Sequence, residues 1–190
     1  MEEKFIHKLI EGSESAFKEL VELYKNKVFN TCFGYVGNYA DADDVAQEVF
    51  VEIYQSIGSF KQDSSLSTWI YRIAVNKSLD FLRKAKRKKR WSTLVRISTD
   101  SKDIQDFGAA HNQTPYVSLE QQERVAILNL ALSKLPTHQK TAFTLKNYEE
   151  LSYNEIADVM QITVSSVESL IHRAKKNLQK LLYNYYYSKN

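Results

Sequence analysis

The sequence is poor in the residues that break, bridge or turn a chain. Two prolines and five glycines among 190 residues leave too little turn chemistry for a strand-dense or collagen-like fold. A single cysteine, Cys32, excludes an internal disulfide and any multi-cysteine metal site, and fits a reducing compartment. No apolar run approaches the roughly 20 residues that a membrane-spanning helix needs. The opening Met1-Glu2-Glu3-Lys4 lacks the basic and then apolar segments of a secretory signal. Phosphate-cradling glycine loops and nucleophile elbows are missing. The histidines (His7, His111, His138, His172) form no metal spacing, and Asp41, Asp43 and Asp44 lack the ladder of an EF-hand. Cys32 lies on an apolar helical stripe, the place of a buried, inert thiol. These absences predict a soluble intracellular protein with no catalytic residues, no cofactor, no metal and no membrane insertion.

Apolar residues make up 43% and charged residues 26%, enough to build cores. The net charge of +3 hides an uneven distribution. Residues 1–82 carry eight Lys/Arg against thirteen Asp/Glu, residues 83–118 nine against three, and residues 119–190 nine against seven. An acidic front, a basic waist and a mildly basic end suggest more than one kind of partner.

Helical periodicity runs through Phe17, Leu20, Val21, Tyr24, Val28, Cys32 and Val36, with Ser13 or Ser15 as cap and Gly37-Asn38 as terminator. A second helix is predicted from about Asp41 through Val45, Val49, Ile53 and Ile57, stopped by Gly58, with Asp43 and Asp44 at its positive dipole end. A third runs from about Ser67 into Arg-Lys-Ala-Lys-Arg-Lys-Lys-Arg, residues 83–90. Periodicity weakens after Trp91, so residues 91–118 read as a tether. It resumes at Leu119, breaks at Pro136, and restarts near Thr137 and beyond Leu151. No stretch alternates with period two. The fold class is therefore all-α: two small helical domains, 1–90 and 119–190, joined by a linker at 91–118.

The most specific local signal lies at 152–176. Ser152-Tyr-Asn-Glu155 is a capping box, followed by a short helix with Ile156, Ala157, Val159 and Met160 on its apolar side. Gln161-Ile162 makes a tight connection, and Thr163 caps the next helix. That helix carries Val167, Ile171, Ala174, Leu178 and Leu181 on one face, and Ser165, Ser169, His172 and Lys176 on the other, with Ser166 and Arg173 alongside. The pattern fits a helix-turn-helix whose second helix enters the major groove. Spacing alone leaves an αα-hairpin packed on a further helix as an equal reading. The basic waist, beside Trp69, Tyr71, Phe81 and Trp91, suits nucleic acid, although these rings fit a core better than a stacking platform. The acidic side of the second helix (Asp44, Gln47, Glu48, Glu52, Gln55) is either a solvated face or a docking surface for a basic protein.

Three segments together resemble a bacterial extracytoplasmic-function (ECF) sigma factor. They are Asp41-Ala-Asp-Asp-Val-Ala-Gln-Glu-Val-Phe50, the stretch from Ser67-Thr-Trp-Ile-Tyr to Leu82-Arg83, and Leu151-Ser-Tyr-Asn-Glu-Ile-Ala through His172-Arg-Ala-Lys175. The resemblance implies region 2 at 1–90 and region 4 at 119–190, in a non-enzymatic cytoplasmic subunit that directs bacterial core RNA polymerase to promoters. It implies that Asp44, Gln47 and Glu48 bind the clamp helices of the largest subunit, and that the polymerase flap is a second contact. Lys61, Ser67, Thr68, Asn76 and Arg83 would meet the minus-ten element, both duplex and melted, with a flipped base captured by the loop at 61–66. Base extraction costs a few kcal/mol, so recognition of the unpaired base drives opening without ATP. Lys84, Lys86 and Arg87 would hold phosphates. Ser165, Ser166, Glu168, Ser169, His172, Arg173 and Lys176 would read the minus-thirty-five element. Docking faces of this kind are natural targets for an anti-sigma factor.

The sequence departs from the commoner family pattern at Glu168, Leu170 and Gln161, where cations and a glycine often stand. A carboxylate in the groove accepts from cytosine N4 but repels phosphate. Asp100, Asp103 and Asp106 of the tether could mimic nucleic-acid charge in a polymerase channel. The family's promoter elements lie roughly 50–70 Å apart. A tether of 28 residues has a coil span of about 30 Å and a stretched limit of about 90 Å, so it reaches only when held extended. A stand-alone helix-turn-helix regulator and a helical adaptor without DNA binding are the competing functions.

Overall fold

The computed structural model describes residues 2–97 and 119–187, with side chains described for 3–88 and 123–183. These residues form eight α-helices and no strand. The first bundle contains α1 (Glu2–Ile10), α2 (Glu14–Val36), α3 (Tyr39–Ser56), a 3₁₀ turn (Ile57–Ser59) and α4 (Leu66–Ile97). The second contains α5 (Leu119–Ser133), α6 (Thr137–Asn147), α7 (Tyr153–Met160) and α8 (Val164–Tyr187).

Local chemistry sets the boundaries. Ser13 caps α2, its hydroxyl accepting the Ala16 N–H. Gly37 closes α2 at φ 79, the left-handed conformation that costs glycine least. Asn38 then caps α3, accepting from the Asp41 N–H at 2.9 Å, so α3 begins at Tyr39, two residues before the expected start. Ser65 accepts the Thr68 N–H at 3.1 Å and sets the start of α4.

Two expectations need correction. α4 does not end near residue 90: it continues to Ile97, because residues 91–97 contain neither glycine nor proline to stop it. The remainder of the expected linker, residues 98–118 with Asp100, Asp103 and Asp106, lies outside the described residues. The nine-residue α1 went unanticipated; it buries Ile6 and Leu9 against α2 and the 3₁₀ turn.

The first core joins Leu20, Val28 and Cys32 of α2 to Val45, Val49 and Ile53 of α3 and Ile70 and Ala74 of α4. Trp69 and Phe81 pack on it, Trp69 with its ring 5.1 Å from that of Phe60. A second cluster ties Ala131, Leu132 and Leu135 of α5 to Ala174 and Leu178 of α8. A third cluster crosses between the bundles: Tyr35, Tyr71 and Val75 of the first pack with Leu145, Ile156, Val167 and Ile171 of the second. The helix-turn-helix core is thus completed by residues from the other half of the chain.

Candidate nucleic-acid and protein interfaces

On α3, burial of Val45, Val49 and Ile53 turns Asp44, Gln47 and Glu48 outward, and all three are exposed. Gln47 donates to Asp43 Oδ2 at 2.9 Å. The acidic flank lines a shallow depression with Val51, Glu52 and Lys77. Lys77 reaches across from α4 to Glu52 at 3.1 Å, which fixes one edge. Val51 and Tyr54 are 56% and 60% exposed, so the acids border an apolar strip, a mixture suited to a protein partner.

The second surface is α4 and the loop before it. Lys61, Asn76, Arg83, Lys84, Lys86 and Arg87 are exposed, and Ser67 is half-buried. Arg83 pairs with Asp80 at 2.5 Å on the same helix. Thr68 departs from expectation: it is 4% exposed and hydrogen-bonded to Ser65 Oγ at 2.9 Å, so it shapes the helix start and does not face a ligand. Gln62 sits at φ 57, bending the loop that presents Lys61.

The third surface is α7, its turn and α8. The capping box forms in full: Ser152 N–H donates to Glu155 Oε2 at 2.8 Å, and Glu155 N–H donates to Ser152 Oγ at 3.3 Å. The Ser152 hydroxyl also donates to Glu155 Oε2 at 2.7 Å, and this bond, with that from the Ser152 N–H, holds the Glu155 carboxyl below its ordinary value. Gln161 adopts φ 55 in the turn, strained for a residue with a side chain, and Ile162 N–H closes onto Ala157 O. Thr163 caps α8, accepting the Ser166 N–H at 3.2 Å, while the Thr163 and Ser166 hydroxyls share a hydrogen bond at 2.8 Å. Val167, Ile171, Ala174 and Leu178 are buried. Ser165, Ser166, Glu168, Ser169, His172, Arg173 and Lys176 are all exposed. Sequence reasoning missed His138: packing of α6 on α8 brings it into one depression with Ser165, Ser169 and Arg173. Only that packing reveals it, since α6 carries no local signal.

Among the described residues no group of three His, Cys, Asp or Glu could hold a metal, and no helix is long and apolar enough to cross a membrane. Burial pushes the Cys32 thiol up to about 11, which makes it a poor nucleophile.

Comparison with known proteins decides the family. A family model described as Sigma-70 region 2 matches residues 20–88, and one described as Sigma-70, region 4 matches residues 125–178. The ECF RNA polymerase sigma factor SigW of Bacillus subtilis is 33% identical over 182 residues, covering 96% of this chain and 97% of that protein. The chain belongs to the sigma-70 family, in its ECF group.

This sigma factor is also 32% identical over 185 residues to the RNA polymerase sigma-H factor of Pseudomonas aeruginosa, with 95% and 93% of the two chains covered. Its fold matches that of CnrH in complex with the cytosolic domain of CnrY, with a TM-score of 0.66, 24% identity and coverage of 95% and 96%. It also matches the sigma factor RpoE in complex with the anti-sigma factor NepR from Bartonella quintana, with a TM-score of 0.62, 22% identity and coverage of 87% and 96%. The all-α reading therefore holds. The protein is an RNA polymerase sigma factor acting in promoter-specific transcription initiation, from a family of non-enzymatic initiation factors.

Proposed function

We propose that the three surfaces divide the work of initiation. Asp44, Gln47 and Glu48 on α3 dock the clamp helices of the polymerase largest subunit, in the bacterial cytoplasm. Lys61, Ser67, Asn76 and Arg83 meet the minus-ten element, and Lys84, Lys86 and Arg87 hold its phosphates. The exposed face of α8, joined by His138, reads the minus-thirty-five element. Region 2 corresponds to the first bundle and region 4, with its contact to the flap, to the second. Two structural neighbours were solved as complexes, one with an anti-sigma factor, and a partner of that class is the candidate regulator here.

One observation carries the reading: acids and cations are segregated on different helices of one bundle, each fully presented. The exposed acids of α3 would repel phosphate, so they are free for protein, whereas the exposed cations of α4 favour DNA. The test is run-off transcription with bacterial core polymerase and promoter DNA. Transcripts that require this chain support the reading. Duplex binding by the free chain with no transcript under any condition would favour a stand-alone regulator instead.

A further inference from the structure

The two bundles meet along a seam of close contacts. Tyr35 Oη donates to Thr141 Oγ1 at 2.6 Å, Tyr71 Oη donates to Glu149 Oε2 at 2.9 Å, and Asn129 Nδ2 donates to Gly37 O at 3.0 Å. At the crossing of α2 and α6, Gly34 has no room to spare: a Cβ there would fall deep inside contact distance of Thr144 Cγ2 and 3.1 Å from its Oγ1. Between α4, the start of α6 and the end of α7, the same seam opens into a cavity of about 300 Å³. That is the space of about ten waters, at the lower end of the range of small-molecule sites, which favour junctions of this kind.

The lining is one-sided in charge. Val75 of α4 and Val159 of α7, both buried, form apolar walls. Arg72 and Asn76 of α4, His138 of α6 and Gln161 after α7 add polar groups, and no acidic side chain lines the space. Arg72 is held in place, its Nε and Nη2 donating to the Asp158 carbonyl at 3.2 and 2.7 Å. One edge of the planar guanidinium is thereby anchored, and Nη1 is left for an anion. Gln161 marks the cavity in a second way. It keeps a left-handed backbone, φ 55, that glycine would adopt without strain, and its side chain borders the space. Strain retained at the rim of a cavity points to a use for the side chain.

These features select a ligand class. A fixed cation with no acid beside it calls for an anion, and the amides of Asn76 and Gln161 can donate to the same oxygens. Apolar walls call for an apolar body, and the volume limits that body to about one ring. We propose that the cavity is a binding site for a small aromatic carboxylate, its acid group on Arg72 and its ring between Val75 and Val159.

Occupancy has a consequence that rests on the surfaces assigned above. Asn76 belongs to the minus-ten surface, so a ligand bonded to it withholds it from the DNA strand. His138 also borders the depression on α8 with Ser165 and Arg173, which places the ligand between the two promoter-reading surfaces. Because the walls come from both bundles, the ligand binds only while they are packed together and favours that arrangement.

The test uses para-fluorobenzoate as probe, read by broadening of its fluorine resonance and by thermal melting of the full chain. Wild type should bind it saturably and melt higher in its presence. Para-fluorobenzamide, of the same shape but uncharged, should bind at least about tenfold more weakly, and inorganic phosphate, charged but without a ring, should not displace the probe. Arg72→Gln should weaken the probe at least about tenfold. Gln161→Gly relieves the strained backbone, so it should melt no lower than wild type yet bind the probe at least about threefold more weakly. Absence of saturable binding, equal binding of the amide, displacement by phosphate or unaltered affinity in the Arg72 variant overturns the site. If the Arg72 variant binds weakly but also melts lower, the Gln161 variant decides, and unaltered affinity there overturns the site. Saturating probe should weaken binding of a minus-ten single strand at least about threefold. A probe that meets every other criterion and leaves the strand's affinity unchanged supports the site, and counts instead against the placement of Asn76 on the minus-ten element.

Discussion

Glu149 offers the sharpest handle on the seam. Burial is the largest influence on its carboxyl and pushes it up to about 7 from 4.5, against the Tyr71 hydroxyl of α4 and the Lys27 ammonium of α2. Cys32 of α2 feels its charge, Tyr24 and Glu155 act on the same Tyr71 hydroxyl, and Lys146 of α6 acts on Glu155 nearby. Once the bundles part, the carboxyl returns to its ordinary range. The closed form therefore takes up a proton between about pH 4.5 and 7 that the open form does not, and the seam tightens as pH falls through 7. Above 7 the ionised carboxylate opposes closure. Discounted for screening at a partly exposed group, this opposition is worth about 1–2 kcal/mol. Glu149→Gln removes the charge and keeps an oxygen for Tyr71, while its nitrogen inherits a position that already lacks a partner and returns part of the gain. The net is about 1 kcal/mol toward closure at pH 8, or about fivefold in the ratio of closed to open chain. Energy transfer between dyes on Lys18→Cys and Lys180→Cys reads that ratio, and Cys32, buried with its thiol near 11, does not compete for label. Wild-type transfer should rise from pH 8 to pH 6, whereas the Glu149→Gln chain should start high and drift slightly down, because the Lys140 ammonium on the same seam, lowered by burial to about 8, completes its protonation over this range and opposes closure. A wild-type signal indifferent to pH, together with a variant that matches it, would refute the reasoning.

Reversing Asp44 and Glu48 to lysine should leave helix content intact, since both are exposed, and weaken core polymerase binding by about tenfold or more in a gel-filtration assay. Duplex binding by the same variant should be unchanged or stronger. Ser152→Ala should lower the stability of region 4 by about 1 kcal/mol at pH 7, measured by thermal melting. Because the Glu155 carboxyl is held low when folded, the contribution of its charge persists at neutral pH and disappears as pH falls through that lowered value. Arg173→Ala should weaken duplex binding and reduce the slope of log affinity against log salt by about one.

Local chemistry was legible wherever one residue answers another a few positions away. The Ser152–Glu155 box, the stripe from Val167 to Leu178 and the Gly37-Asn38 junction all declare themselves within a turn or two. The family segments, too, are short and contiguous. Contacts distant in the chain were invisible: Tyr35 meets Thr141 and Tyr71 meets Glu149 across 106 and 78 positions, and no periodicity encodes such meetings. The family resemblance placed Thr68 beside Ser67 on the DNA surface, and only packing separates their fates, since Thr68 is buried against Ser65 Oγ. The end of α4 was misplaced because weakening amphipathicity was read as termination, although an exposed helix needs no apolar stripe to continue. His138 owes its relevance wholly to α6 lying on α8.

The tight crossing of Gly34 and Thr144 carries a consequence for anyone assembling hybrid regulators from modular parts. Exchanging the promoter-reading head of this chain for that of a relative is not a neutral transplant. The incoming head must present a side chain at the position of Thr144 small enough to lie over a bare glycine, or the two halves of the hybrid will not seat on each other as they do here.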